Sequence, residues 1–336
     1  MATKEDKIMR MENGKVSMQA DVEEKERPFH PVTWKALLIF GVFIYGSYTI
    51  LVHLCEVDGR MPFSSASVVL VIEIVKLGLS IAMFIPEAQE KGFTPPSFMF
   101  ALPFAVPAIL YCINNNVAVH MQLQMDPATY QVLGNLKIFS TAILYRIIIK
   151  RPITGIQWVA LTLLAIAGAC NSYGGLKAGP EAVSAGEIHL TVKGLIMISV
   201  YCFISGLSGV YTEYILKRKY ETSIHIQNGL LYIFGIILNG LVWLVASYRS
   251  DEPGSMNPFK GYSVYTWILV ITQAFSGLIM SAIMKHGNNI TRLFLISCAM
   301  LVTTVLSMLI FNLKLNVFFC LAFVLVLGAL KLYHSN

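Results

Sequence analysis

The 336-residue chain is 56% hydrophobic and 13% charged, with a mean hydropathy of +0.65. A soluble domain carries roughly twice that charge fraction, so a soluble globular fold is excluded. The formal net charge of +6 does not point to nucleic acid. The basic residues stand at the ends of apolar runs, where they orient a membrane protein rather than form a binding footprint.

Residues 1–34 are polar and dense in mixed charge. They predict a disordered cytosolic tail and no cleavable signal peptide, so the first apolar run doubles as the targeting signal. From there the apolar residues fall in runs of about 20, the length that crosses roughly 30 Å of hydrocarbon. Ten spans are predicted, at 35–55, 66–85, 98–121, 127–149, 154–172, 193–217, 226–248, 263–284, 291–311 and 315–333, making 35–334 one all-α polytopic domain. Turn residues such as Asp58-Gly59, Asp126-Pro127, Arg151-Pro152, Pro253-Gly254 and Gly287-Asn288 separate them.

Ten spans put both termini on one side of the bilayer. With that side cytosolic, 17 Lys and Arg fall there and six (Arg60, Lys177, Lys193, Arg249, Lys260 and Lys314) fall opposite. Without the tail the ratio is still ten to six, which favours cytosolic termini. Ten also divides into five plus five. Because five is odd, the second half would enter from the other side as an inverted repeat. The single glycosylation sequon, Asn289-Ile290-Thr291, then lies on the cytosolic side and stays unmodified.

Charge inside a span costs several kcal/mol and asks for a reason. Glu73 and Lys76 lie three apart on the second span, share a face and can pair. Lys137, near the centre of the fourth, has no carboxylate within a turn or two on its own helix and needs an anion from elsewhere. Its neighbours Tyr130, Gln131, Asn135 and Ser140 make that span the most polar. The third span carries Tyr111 and the amides Asn114, Asn115 and Asn116; the sixth carries Ser205, Ser208, Tyr211 and Glu213; Asn228 and Tyr232 open the seventh, and Arg292 opens the ninth.

An isolated Asn or Ser in a span reads first as internal glue. Lysine and arginine together with amides and tyrosines fit a phosphate carrying a ribose and a base. The histidines stand singly and the acidic residues do not cluster, which argues against an enzyme, a metal site or a cofactor. No phosphate-binding G-x-x-x-x-G-K-[ST] loop is present, which argues against ATP-driven transport. The six cysteines sit in or beside apolar runs without paired spacing and read as free thiols.

The segments FSSASVVLVIEIVKLGLS (63–80), NNNVAVHMQLQMDPATYQVLGNLKIFSTAILY (114–145), SGLSGVYTEYILK (205–217), IQNGLLYIFGIILN (226–239) and KHGNNITRLF (285–294) resemble the nucleotide-sugar transporters of solute carrier family 35, subfamily A. The likeness covers about 35–334. It implies a ten-helix drug/metabolite-transporter fold in the Golgi membrane. It also implies exchange of a cytosolic pyrimidine nucleotide sugar (CDP-ribitol, a CMP-sugar or a UDP-sugar) for lumenal nucleoside monophosphate. By motif, the resemblance implies substrate-binding roles for Glu73, Lys76, Tyr111, Asn115, Asn116, Tyr130, Gln131, Lys137, Ser205, Tyr211, Glu213, Asn228, Tyr232 and Arg292. Lys137 and Arg292 would hold phosphates, Tyr130 and Asn116 the nucleoside, and Glu73 would compete with substrate for a lysine. Arg292 and Phe234 depart from relatives that carry CMP-sialic acid, which have a lysine and a small hydroxyl residue there. The competing expectations are a transport-inactive scaffold or regulator and, further off, a polytopic enzyme. Homo- and hetero-oligomers both stay open.

Overall fold

The computed structural model describes residues 30–57, 60–92, 94–122, 132–178, 192–250, 254–311 and 316–335. Its internal contacts divide the chain into two compact units, residues 1–39 and 40–336. The described part of the first unit, 30–39, forms the opening turns of the first helix. The expected tail otherwise lies outside the described residues.

Ten principal helices are described: α1 Pro31–Leu54, α2 Ser65–Lys91, α3 Ala105–Gln122, α4 Lys137–Ile148, α5 Gly155–Ala178, α6 Val192–Arg218, α7 Ile224–Arg249, α8 Val264–His286, α9 Asn289–Phe311 and α10 Val317–His334. Eight of them, all but α3 and α4, are long and apolar enough to cross a membrane. The chain is thus a multi-pass helical membrane protein, and the β-pairing among the described residues is one bridge between Val57 and Arg60.

Where the helices depart from the expected spans, local chemistry explains it. α1 begins at Pro31 rather than 35, because the fixed φ and missing donor of proline suit a first helical position. α2 runs through Pro86 to Lys91 instead of ending at 85. Its last turns are fastened by Ser223, whose Oγ donates to Glu87 Oε2 at 2.5 Å. Pro103 and Pro107 each remove a ladder donor, so the third span opens in pieces. A turn over Phe98–Ala101, capped by Ser97, passes into a 3-10 turn at Leu102–Phe104 and then into α3. Of the fourth span, residues 132–149 are described, a helical stretch at 132–134 and a turn leading into α4.

The most extensive packing runs α2 along α7 and α5 along α10, with α4 and α3 both against α6. Small residues permit the closest crossings. A methyl on Gly206 of α6 would stand 2.9 Å from the Thr141 backbone nitrogen of α4, and Ser140 Oγ donates to Cys202 O across that contact at 2.8 Å. In α1 a methyl on Gly46 would stand 2.8 Å from Ala299 O of α9, and Thr303 Oγ1 donates back to Gly46 O at 2.6 Å. The main core, built from α4, α5, α6, α9 and α10, contains Ile138, Leu161, Leu164, Val210, Ile290 and Val326.

At one end the loop before α8 closes on the loop before α2. Gly261 has φ +77, and a side chain there would strike Pro62 O, so glycine is required on both counts. Tyr262 bonds Ser67 at 3.3 Å and meets Phe63 edge-on. Burial raises the Tyr262 hydroxyl pKa above its ordinary value. The six cysteines are free, with Cys55 and Cys202 buried.

Candidate functional site

Seven helices enclose a cavity of about 280 Å³, lined by Tyr45 of α1, Glu73 and Lys76 of α2, Tyr111 of α3, Tyr232 of α7 and Arg292 of α9, with smaller side chains from α6 and α8. A larger recess of about 410 Å³ lies between the end of α2, the 94–97 loop and residues 221–223. It holds none of the expected site residues, whereas the central cavity gathers five of them.

Glu73 and Lys76, one turn apart on α2, form the expected pair with Nζ 2.5 Å from Oε1. Both side chains are about 15% exposed or less, and each charge needs the other there because an unpartnered buried ion costs several kcal/mol. The ammonium also stands 4.5 Å from the centre of the Tyr232 ring, a cation–π contact. The walls behind the pair are bare backbone. A methyl on Gly235 of α7 would lie 2.7 Å from Glu73 Oε2, and one on Gly277 of α8 would lie 2.7 Å from Lys76 Cδ. The Tyr232 hydroxyl is buried without a hydrogen-bond partner among the described residues.

Arg292 is the other cation of the lining, whereas Lys137 is not among the lining residues. Arg292 sits in the first turn of α9, and its Nη1 meets Met284 Sδ at 3.4 Å, a soft and weak acceptor. Lys137 opens α4 directly after a tightened turn whose bonds run from Asn135 N to Val132 O, Leu136 N to Leu133 O and Ile138 N to Asn135 O. Among the described residues neither Lys137 nor Arg292 has a carboxylate partner.

The other expected residues divide. Asn228 is 2% exposed, and its Oδ1 accepts from Ser281, which does line the cavity. Ser205 is partly buried, and its carbonyl accepts from Ser208. Tyr211 packs with Phe104, Ile215 and Met284. Glu213 is fully buried away from the cavity lining, accepting from Lys217 Nζ at 2.8 Å and from Asn289 N at 2.7 Å. Tyr130 and Gln131, and the side chains of Asn115 and Asn116, lie outside the described residues.

Sequence reasoning missed Tyr45, Thr212, Asn239 and Ser281 as cavity residues. Tyr45 carried a signal, an aromatic hydroxyl beside Gly46 in mid-span. Single hydroxyls and amides such as Thr212, Ser281 and Asn239 look like any internal glue. Among the described residues no three His, Cys, Asp or Glu converge to hold a metal. The arrangement offers cations to phosphate and tyrosines to a base.

The sequence profile described as nucleotide-sugar transporter matches residues 32–334. The chain belongs to the nucleotide-sugar transporter family. A Xenopus tropicalis protein named probable UDP-sugar transporter protein SLC35A4 is 43% identical, over 90% of this chain and 92% of that one. Its Homo sapiens namesake is 42% identical, over 90% and 94% of the two chains. The one from Danio rerio is 40% identical, over 95% of this chain and all 100% of that one. A solved crystal structure superposes with TM-score 0.66 at 9% identity, over 91% of this chain and 98% of that one, a likeness of fold alone. The family and these relatives are transporters, and this nucleotide-sugar transporter is likewise not an enzyme.

Proposed function

We propose that this nucleotide-sugar transporter exchanges a cytosolic pyrimidine nucleotide sugar for lumenal nucleoside monophosphate across the Golgi membrane. UDP-sugars, as in the names of the relatives, CMP-sugars and CDP-ribitol are the candidate cargoes. The observation that carries this reading is the central cavity, which brings Lys76 and Arg292 together with Tyr45, Tyr111 and Tyr232. A phosphate or diphosphate suits such cations, with lysine as a point charge and arginine as a fork, and Lys137 joins Arg292 on it in this proposal. Tyr45, Tyr111 and Tyr232 give aromatic faces and hydroxyls for the nucleoside, beside Asn115, Asn116, Tyr130 and Gln131 from the family motifs. Ser205, Tyr211, Glu213 and Asn228 support that site from behind the lining. Glu73 holds Lys76 until substrate phosphate competes for it.

Alternating access about this site follows from a five-plus-five inverted repeat with both termini cytosolic. Repeat symmetry pairs helix n with helix n+5, and the packing agrees with it. α2 lies on its own counterpart α7 and α5 on α10, while the Gly46 crossing of α1 on α9 corresponds to the Gly206 crossing of α6 on α4. Lys137 and Arg292 then come from counterpart helices, α4 and α9.

Proteoliposomes preloaded with CMP or UMP test the reading. Wild-type protein takes up radiolabelled pyrimidine nucleotide sugar in exchange, and Lys137→Ala abolishes exchange while reaching the Golgi normally. Wild-type exchange by that variant, or no uptake of any pyrimidine sugar by the parent, overturns it. Competition by CMP, UMP and GMP in the same assay selects the base.

A further inference from the structure

The first turn of α9 is held in an unusual way. A helix start leaves amide donors without partners, and Asn288 meets one of them from its own chain, its Oδ1 accepting from Thr291 N at 2.7 Å. The amide of Asn289 is instead taken by another helix, through Glu213 Oε2 of α6 at 2.7 Å. Glu213 is 0% exposed. Its other oxygen accepts from Lys217 Nζ at 2.8 Å, and Lys217 donates again to Gly287 O in the turn before α9. One carboxylate and one ammonium thus grip α9 and its entry from both sides. A neutral side chain could cap the amide with far less desolvation, but it would not tie the lysine to the turn.

One turn back along α6 is Gly209. A methyl there would stand 2.9 Å from Asn289 Nδ2 and 3.0 Å from Arg292 Nη1. Gly209 and Glu213, four apart on α6, therefore face Asn289 and Arg292, three apart on α9.

We propose that Gly209 and Glu213 form a seat on α6 that fixes where the Arg292 guanidinium stands in the cavity. Both are positioning residues that act through Arg292, and the inference rests on Arg292 being a substrate-phosphate cation. Glu213 sets the depth and rotation of the first turn of α9. Gly209 leaves the space in which the end of the Arg292 side chain lies. Gly209→Ala removes no donor or acceptor of the seat and crowds the Arg292 guanidinium together with the buried Asn289 side-chain amide. Glu213→Gln keeps an acceptor for the Asn289 amide but loses the grip on Lys217.

Purified full-length protein is titrated with UMP and with CMP, reading nucleotide-induced thermal stabilisation in detergent. Gly209→Ala weakens the apparent affinity about ten-fold, with a smaller fall in ligand-free melting temperature than Glu213→Gln. Glu213→Gln weakens it and lowers that temperature as well. In an Arg292→Ala background, itself weakened, Gly209→Ala adds nothing further. An equal loss from Gly209→Ala with and without Arg292, or wild-type affinity in Gly209→Ala, overturns the seat while leaving the transport site standing. Wild-type affinity for both nucleotides in Arg292→Ala overturns the seat and removes Arg292 from the transport site together. Gly209→Ala decides the matter even where Glu213→Gln fails to fold.

Discussion

Two helices of this transporter carry a glutamate with a lysine one turn further on, and the two pairs do different work. Glu73 and Lys76 on α2 line the cavity, leave Lys76 under the Tyr232 ring and lie against the bare backbone of Gly235 and Gly277. Glu213 and Lys217 on α6 are turned away from it, with the carboxylate committed to Asn289 N and the ammonium to Gly287 O. In the proposed mechanism the first pair exchanges its partner for a substrate phosphate. The second is a strap between α6 and the start of α9. An acid–base pair inside a span is therefore no marker of a substrate contact; what matters is whether its hydrogen-bonding capacity is already used by neighbouring backbone.

The largest expected effect separates the pairs by stability. Glu213→Ala leaves Lys217 without its partner and costs about 3–5 kcal/mol, read as a fall in the melting temperature of detergent-purified protein. Glu73→Ala melts higher than Glu213→Ala and loses exchange in proteoliposomes. Equal melting with retained exchange in Glu73→Ala would erase the distinction. Next come the two close crossings, which bear on the proposed repeat that would relate α1 to α6. Gly46→Ala and Gly206→Ala both push a methyl onto backbone and should each cost about 1–3 kcal/mol. Chemical unfolding that finds one crossing tolerant and the other not would break the symmetry argument.

A smaller effect probes the wall behind the α2 pair. Gly277→Ala crowds Lys76 Cδ and raises the KM for exchange a few-fold, about 1 kcal/mol, with expression unchanged. Smallest is the exposed side of the same helix, where a methyl on Gly78 meets nothing within 4 Å. Gly78→Ala leaves transport unaltered and stabilises α2 by up to about 1 kcal/mol. Loss of exchange in that variant would mean that the outer face of α2 takes part in function.

By itself the sequence determined the membrane class, helices close to the expected spans wherever residues are described, and the pairing of Glu73 with Lys76. Those follow from local physics: apolar run length against hydrocarbon thickness, and helical spacing that puts residues three apart on one face. Its motifs also led to the family, because stretches such as MDPATYQVL and KHGNNITRLF are long and specific. Only the tertiary structure decided which polar face turns inward. It grouped Tyr45, Tyr111 and Tyr232 with Arg292, set Asn228 behind Ser281, and turned Glu213 to the backbone of α9. No spacing along one helix encodes that choice. It depends on which glycines let a neighbouring helix approach, and those contacts join residues as distant in sequence as Gly209 and Arg292.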